Sequence, residues 1–180
     1  AENDARDSAG GNHGVLQKGA TFIPGEVGDA FAFDGVSGLM QVPDAPMLHP
    51  KALTIEAWVF PLLQSGTHET ILARGSSSND DNAWWMGLLN GKPRFWSKHL
   101  ASGMQLLESP SVIPLNQWTH LAISFDGFSK QLYINGALVA TKSGLDDLVY
   151  DVANIPVTIG SDWVANKSAQ PFSGRVDEAS

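Results

Sequence analysis

The chain has 180 residues, 43% of them apolar, with six tryptophans and no cysteine. Such a chain can bury one sizeable core, while disulfide frameworks and thiolate metal sites are excluded and the redox compartment stays open. A formal charge of −8 repels phosphate backbones and anionic lipid, so neither nucleic acid nor a membrane is expected as a partner.

No apolar run approaches the roughly 20 residues needed to cross a bilayer. Residues 1–12 are polar, so any export signal is expected to have been removed or to lie outside this sequence. Further along, short apolar runs alternate with polar residues and are broken by Gly, Pro, Asn or Asp, which predicts many short antiparallel strands and little helix. Phe31-Ala32-Phe33 ends at the turn pair Asp34-Gly35, and residues 39–42 resume as a strand up to Pro43. Residues 53–60 are the clearest strand. Leu53, Ile55, Ala57 and Val59 share one face, Thr54, Glu56, Trp58 and Phe60 the other, and Pro61 withholds the N–H that would extend the ladder.

Strands follow at 70–73, 84–89 and 93–96, the last two joined by the hairpin pair Asn90-Gly91. Residues 118–125, 130–134 and 137–141 form a meander across Asp126-Gly127 and Asn135-Gly136, and 157–160 and 172–176 complete the set. Residues 76–82, 98–104, 143–154 and 162–170 read as loops, where the binding residues of a rigid sandwich collect. Around 145–152 the spacing fits a helical turn and a plain turn equally.

Several phrases, in this order, resemble the laminin-G-like branch of the concanavalin-A-like lectin and glucanase superfamily. They are Asp7-Ser8-Ala9-Gly10-Gly11-Asn12-His13-Gly14, Pro24-Gly25-Glu26-Val27-Gly28, Phe33-Asp34-Gly35 and Leu53-Thr54-Ile55-Glu56-Ala57-Trp58-Val59. Then come Leu115-Asn116-Gln117-Trp118-Thr119-His120, Leu132-Tyr133-Ile134-Asn135-Gly136, Ile159-Gly160 and Phe172-Ser173-Gly174-Arg175-Val176-Asp177-Glu178. The resemblance implies an all-β fold, a two-sheet antiparallel β-sandwich of jelly-roll type, with 1–180 as a single domain. Family members carry a strand before the first phrase and another after the last, so this chain is expected to be a fragment of a longer modular protein with an unpaired edge. The resemblance also implies a calcium ion, held by the side chains of Asp34 and Asp177 with Asn12 and Asp7 or His13 from the nearby loop. Hard cations need several such oxygens. Capping of a turn by Asp34 and solvation of Asp177 at a strand end is the competing reading.

Sugar rings stack on Trp or Tyr, and their hydroxyls need polar side chains alongside. Trp84 and Trp85 are adjacent on a strand, so their rings point to opposite faces and one is left for solvent or ligand. Trp96 and Trp163 border polar loops, and Asp162 and Asn166 stand beside Trp163. With His68 and Arg74 they make up the candidate ligand-binding set, against the plainer reading of partial burial on the sandwich. Trp58 and Trp118 are expected to pack in the core or between strands. The Glu-x-Asp-x-x-Glu phrase of glycosidases is missing, and Asp80-Asp81 and Asp146-Asp147 are loop neighbours. His13, His49, His68, His99 and His120 lack zinc spacing. No catalytic residue is assigned. The expectation is a secreted, extracellular or cell-surface module that binds polysaccharide or glycan with a structural calcium. The alternative is a protein-interaction or adhesion module, with a spacer and then an enzyme last.

Overall fold

The computed structural model of the chain describes residues 4–8, 10–17, 19–75, 83–150, 154–164 and 167–180, with the backbone alone at 163–164 and 167–168. In chain order its strands are β1 (Val15–Leu16), β2 (Ala20–Pro24), β3 (Asp29–Asp34), β4 (Met40–Val42), β5 (Leu53–Pro61), β6 (His68–Arg74), β7 (Trp84–Leu89) and β8 (Lys92–His99). They continue as β9 (Gly103–Glu108), β10 (Thr119–Phe125), β11 (Lys130–Ile134), β12 (Ala137–Lys142), β13 (Val157–Ile159), β14 (Asp162–Val164), β15 (Lys167–Ala169) and β16 (Ser173–Asp177). A single 3-10 turn, Pro46–Leu48, is the only helix among the described residues.

Two seven-stranded antiparallel sheets result, ordered β1-β4-β13-β6-β7-β8-β9 and β12-β11-β10-β5-β16-β3-β2, while β14 and β15 form a separate hairpin. The expected all-β, two-sheet sandwich is what the chain forms. Strand β5 shows why: Ile55, Ala57 and Val59 are at most 5% exposed, while Glu56, Trp58 and Phe60 face outward. Its partner β10 sets Leu121 opposite Ala57 and Ile123 opposite Ile55, so a one-residue slip would carry Glu56 and Trp58 into the core. Two hairpins close on successive left-handed residues, Asn90 and Gly91 at φ 52° and 73° and Asn135 and Gly136 at 49° and 77°. That geometry matches the strand twist and favours Asn-Gly at both places.

The core between the sheets is one cluster that includes Phe31, Ile55, Trp84, Phe95, Leu121 and Phe172. Trp58 and Trp118 are not in it, contrary to a core placement. Both pack edge-on at the outside of the second sheet, Trp58 on His120 at 5.2 Å and Trp118 on Phe60 at 5.3 Å.

Several stretches depart from the pattern reading, among them β1 and β2, which lie ahead of the first strand expected at Phe31. Strand β9 begins inside residues 98–104, read as a loop, because only Leu107 of its side chains joins the core while Leu106 is 39% exposed. The 162–170 loop contains the β14–β15 hairpin. The described part of 145–152 is not helical, and Leu148 there forms a bridge with His99.

That bridge closes a buried polar network at one end of the sandwich. Backbone bonds from Leu100 N to Asp147 O and from Val149 N to Lys98 O dock the segment against β8, beyond the point where β7 starts. His99 Nδ1 lies 2.6 Å from Asp146 O, a carbonyl that only accepts, so Nδ1 carries the proton and Nε2 accepts from Ser97 Oγ at 2.8 Å. Lys130 Nζ then donates to Ser97 Oγ at 2.9 Å and to Gln105 O at 2.5 Å. Ser97, His99 and Lys130 are all at most 2% exposed. Burial, with a smaller repulsion from Lys142, drops the Lys130 amine to about 7. Burial foremost also depresses His99.

Candidate functional site

On β7 the even residues Trp84, Met86 and Leu88 enter the core, so Trp85 projects from the outer face of the first sheet. The opposite-face reading of the tryptophan pair therefore holds. Its corollary does not, because Trp84 is 6% and Trp85 only 1% exposed. Three neighbours cover Trp85. Trp96 sits directly across on β8 with ring centroids 5.4 Å apart, and His68 meets the ring edge-on at 5.6 Å. Gly87, two positions along, leaves room beneath the ring, since a Cβ there would come within 2.4 Å of it. The indole N–H donates to Thr70 Oγ1 at 2.8 Å. Trp85 is thus the floor of the face, and the half-buried Trp96 stands above it. Trp96 Nε1 is shielded from solvent and has no hydrogen-bond partner among the described residues.

His68 completes the aromatic triad, 4.9 Å from Trp96. Arg94 Nη1 donates toward His68 Nε2 at 3.4 Å, so the imidazole is neutral with its proton on Nδ1. Burial first, then the Arg94 charge, holds its pKa below the ordinary histidine value. Arg94 Nε pairs with Glu108 Oε2, and Lys92 Nζ lies 3.9 Å from Glu108 Oε1. Sequence reasoning missed Lys92, Arg94 and Glu108. The signal was present in the alternation Lys92, Arg94, Trp96, Lys98, which puts all four on one face. Glu108 became visible only once β9 paired it with Arg94.

The other candidates are placed elsewhere. Arg74 is 2% exposed and held by Asp44 at 2.9 Å, with its guanidinium 4.8 Å from the Tyr150 ring, so it braces the interior rather than facing a ligand. Asp162 is fully buried at the base of the β14–β15 hairpin. That base is tied to the aromatic face by Thr70 N, which donates to Gln170 O at 2.8 Å beside the strand irregularity at Thr70. The ring of Trp163 and all of Asn166 lie outside the described residues.

The four calcium candidates do not converge. Asp34 pairs with Ser173 at one end of the β3–β16 ladder, whereas Asp177 lies just past the other end, opposite Trp58 of β5, four residues or about 13 Å along β16. Asp34 Oδ1 accepts from Val36 N, Ser37 N and Gly38 N, all at 2.9 Å. Burial opposes ionisation of Asp34, but these bonds outweigh it and lower its pKa. Its role is to cap a turn. Asp177 is fully buried, not solvated, and accepts from Val27 N at 2.9 Å. Asp7 accepts from Gly10 N and Asn12 N, while Asn12 Nδ2 reaches Met47 Sδ. Among the described residues no three of His, Asp and Glu group so as to hold a metal ion.

Residues 34–180 match a laminin-G-type family model described as the concanavalin A-like lectin/glucanases superfamily. The chain belongs to that superfamily. Among solved structures, this concanavalin A-like domain is similar to domain 4 of AbnA, a GH43 extracellular arabinanase from Geobacillus stearothermophilus, in complex with arabinotriose. The identity is 26% over 98% of this chain and 85% of that one, with a TM-score of 0.75. The sialidase CBM40 of Ruminococcus gnavus bound to α2,3-sialyllactose shares the fold at 18% identity, 71% and 72% coverage and TM-score 0.61. So does the binding domain of Paraclostridial Mosquitocidal Protein 1, at 18% identity and TM-score 0.73, with 94% of this chain spanning 44% of that one. No curated protein sequence matches the chain.

Proposed function

We propose that this domain is a non-catalytic module that binds carbohydrate on the outer face of its first sheet. The observation that carries the reading is Trp96, a partly buried aromatic ring on the outer face, seated among His68, Trp85 and Arg94. An apolar plate beside directional polar groups is what a sugar ring requires. The arabinanase domain supports it, since its structure contains arabinotriose. That domain comes from an extracellular enzyme, and an extracellular or cell-surface location is part of the proposal. Calcium has no part in the proposed contact.

The test is titration calorimetry with arabino-oligosaccharides. Trp96→Ala is expected to weaken binding about five- to 150-fold while circular dichroism stays unchanged, since loss of one stacking ring costs about 1–3 kcal/mol. Equal binding by Trp96→Ala would remove this face from the proposal. Trp163→Ala asks whether the β14–β15 hairpin takes part.

A protein-interaction or adhesion role is the second reading, and the outside of the second sheet favours it. Trp58 with His120, and Phe60 with Trp118, form aromatic pairs there, and the Arg175 guanidinium lies 4.7 Å over Phe60. Cross-linking at Trp58 that recovers one defined protein, with no glycan bound in calorimetry, would select it.

A further inference from the structure

The charges around Trp96 bear on which saccharides the face accepts, an inference that rests on the carbohydrate reading above. We infer that the site takes uncharged saccharides and discriminates against carboxylated ones. Arg94 is the cation nearest the aromatic triad, and two of its five donors are engaged: Nε is held by Glu108 and Nη1 points to His68. A sugar carboxylate is best recognised by a guanidinium that offers two parallel N–H groups. Here the Nε side is taken by Glu108, and a sugar carboxylate approaching the Nη groups would sit beside that like charge. Lys92 and Lys98 share this face, and Lys92 stands at the rim against the other oxygen of the same Glu108, 3.9 Å away. His68 is neutral and adds no positive charge. The molecule as a whole carries −8, which repels anionic polymers at longer range.

Groups that suit a neutral sugar remain. The exposed edges of the Glu108 carboxylate accept from hydroxyls. Leu106 lies across from Trp96 on β9 and is 39% exposed, which extends the apolar plate beneath a ring. A neutral glycan uses both without breaking the Arg94–Glu108 pair.

Calorimetry with the full chain at near-physiological salt tests this, using arabino-oligosaccharide as the neutral probe and oligogalacturonate and sialyllactose as the carboxylated ones. The expected result is measurable binding of the neutral probe and at least tenfold weaker binding of both acids. Glu108→Gln removes the competing charge while leaving Arg94 Nε an acceptor, so the ratio should narrow at least tenfold; Glu108→Ala removes the charge and frees Arg94 as well. Acidic saccharides that match or exceed the neutral one on the native chain would overturn the charge inference and leave the carbohydrate reading standing. A neutral preference that Glu108→Gln does not alter also overturns it. Failure of every probe to bind overturns the carbohydrate reading itself, and this inference with it.

Discussion

Lysine 130 offers the sharpest test of the architecture, because an amine at 0% exposure with no carboxylate among its hydrogen-bond partners is a costly thing to keep charged. Its pKa falls from 10.5 to about 7 in the folded chain. Below about 7 both folded and unfolded chains hold the proton, and above 10.5 neither does. Between those limits only the unfolded chain holds it, so stability climbs as pH rises by at most ~1.4 kcal/mol per pH unit. Across the window the gain sums to about 5 kcal/mol. Substituting Lys130→Met abolishes that slope. The variant also strips a donor from Gln105 O and Ser97 Oγ, each loss worth roughly 1–3 kcal/mol, so its stability near neutral pH should lie close to the parent's. Urea unfolding of both chains at pH 7, 8, 9 and 10 and fixed ionic strength measures the difference, and titrations common to both cancel. The window stops short of the Tyr150 hydroxyl, which burial pushes up to about 12. Parallel curves for the two proteins would show that Lys130 keeps its ordinary affinity for protons, and that the buried chain through Ser97 and His99 is wrongly drawn.

Glu69 titrates in the opposite sense. Burial raises its carboxyl to about 7, so it favours the fold below 4.5 and that contribution drains away as pH rises through 7; Glu69→Gln should stabilise the protein at pH 8 and flatten the 4.5–7 range when the urea measurements are carried down to pH 4.5. Asp34→Ala leaves three backbone N–H groups of the 36–38 turn without an acceptor, and a loss of about 1–2 kcal/mol in chemical unfolding is expected. Saturating calcium should leave the melting temperature unmoved. A rise of several degrees, reversed by chelator, would restore an ion and would put it at the Asp177 end of the ladder rather than at Asp34. Gly160→Ala should cost several kcal/mol, since φ is +84° there and a Cβ would come within 2.3 Å of the Phe33 ring.

Period-two patterning made the sandwich legible wherever a strand keeps one face wet. Strand β5 is the plain case, and Asn-Gly marked both left-handed turns. Strand β9 was hidden because only one of its side chains joins the core. At the site, adjacency on a strand correctly sent Trp84 and Trp85 to opposite faces. It could not say that Trp96 and His68 would close over Trp85, because cross-strand register is a long-range property. Arg74 shows the reverse limit: a charged residue near aromatics suggests a ligand contact until Asp44, thirty positions earlier, is found holding it. The shared calcium site rested on the family resemblance of separate phrases, whereas the pairing of β16 sets Asp34 and Asp177 four residues apart along that strand.

The last strand of the chain sits between β5 and β3, near the middle of the second sheet, and β13 likewise separates β4 from β6 in the first. While the polypeptide is still being synthesised, the run from β6 to β9 can zip up hairpin by hairpin, but β3 and β5 must wait for a neighbour that has not left the ribosome. Such late, non-local pairing slows folding and leaves hydrogen-bonding edges open in the nascent molecule. Truncation within the final eight residues should therefore yield an insoluble product rather than a slightly weaker domain.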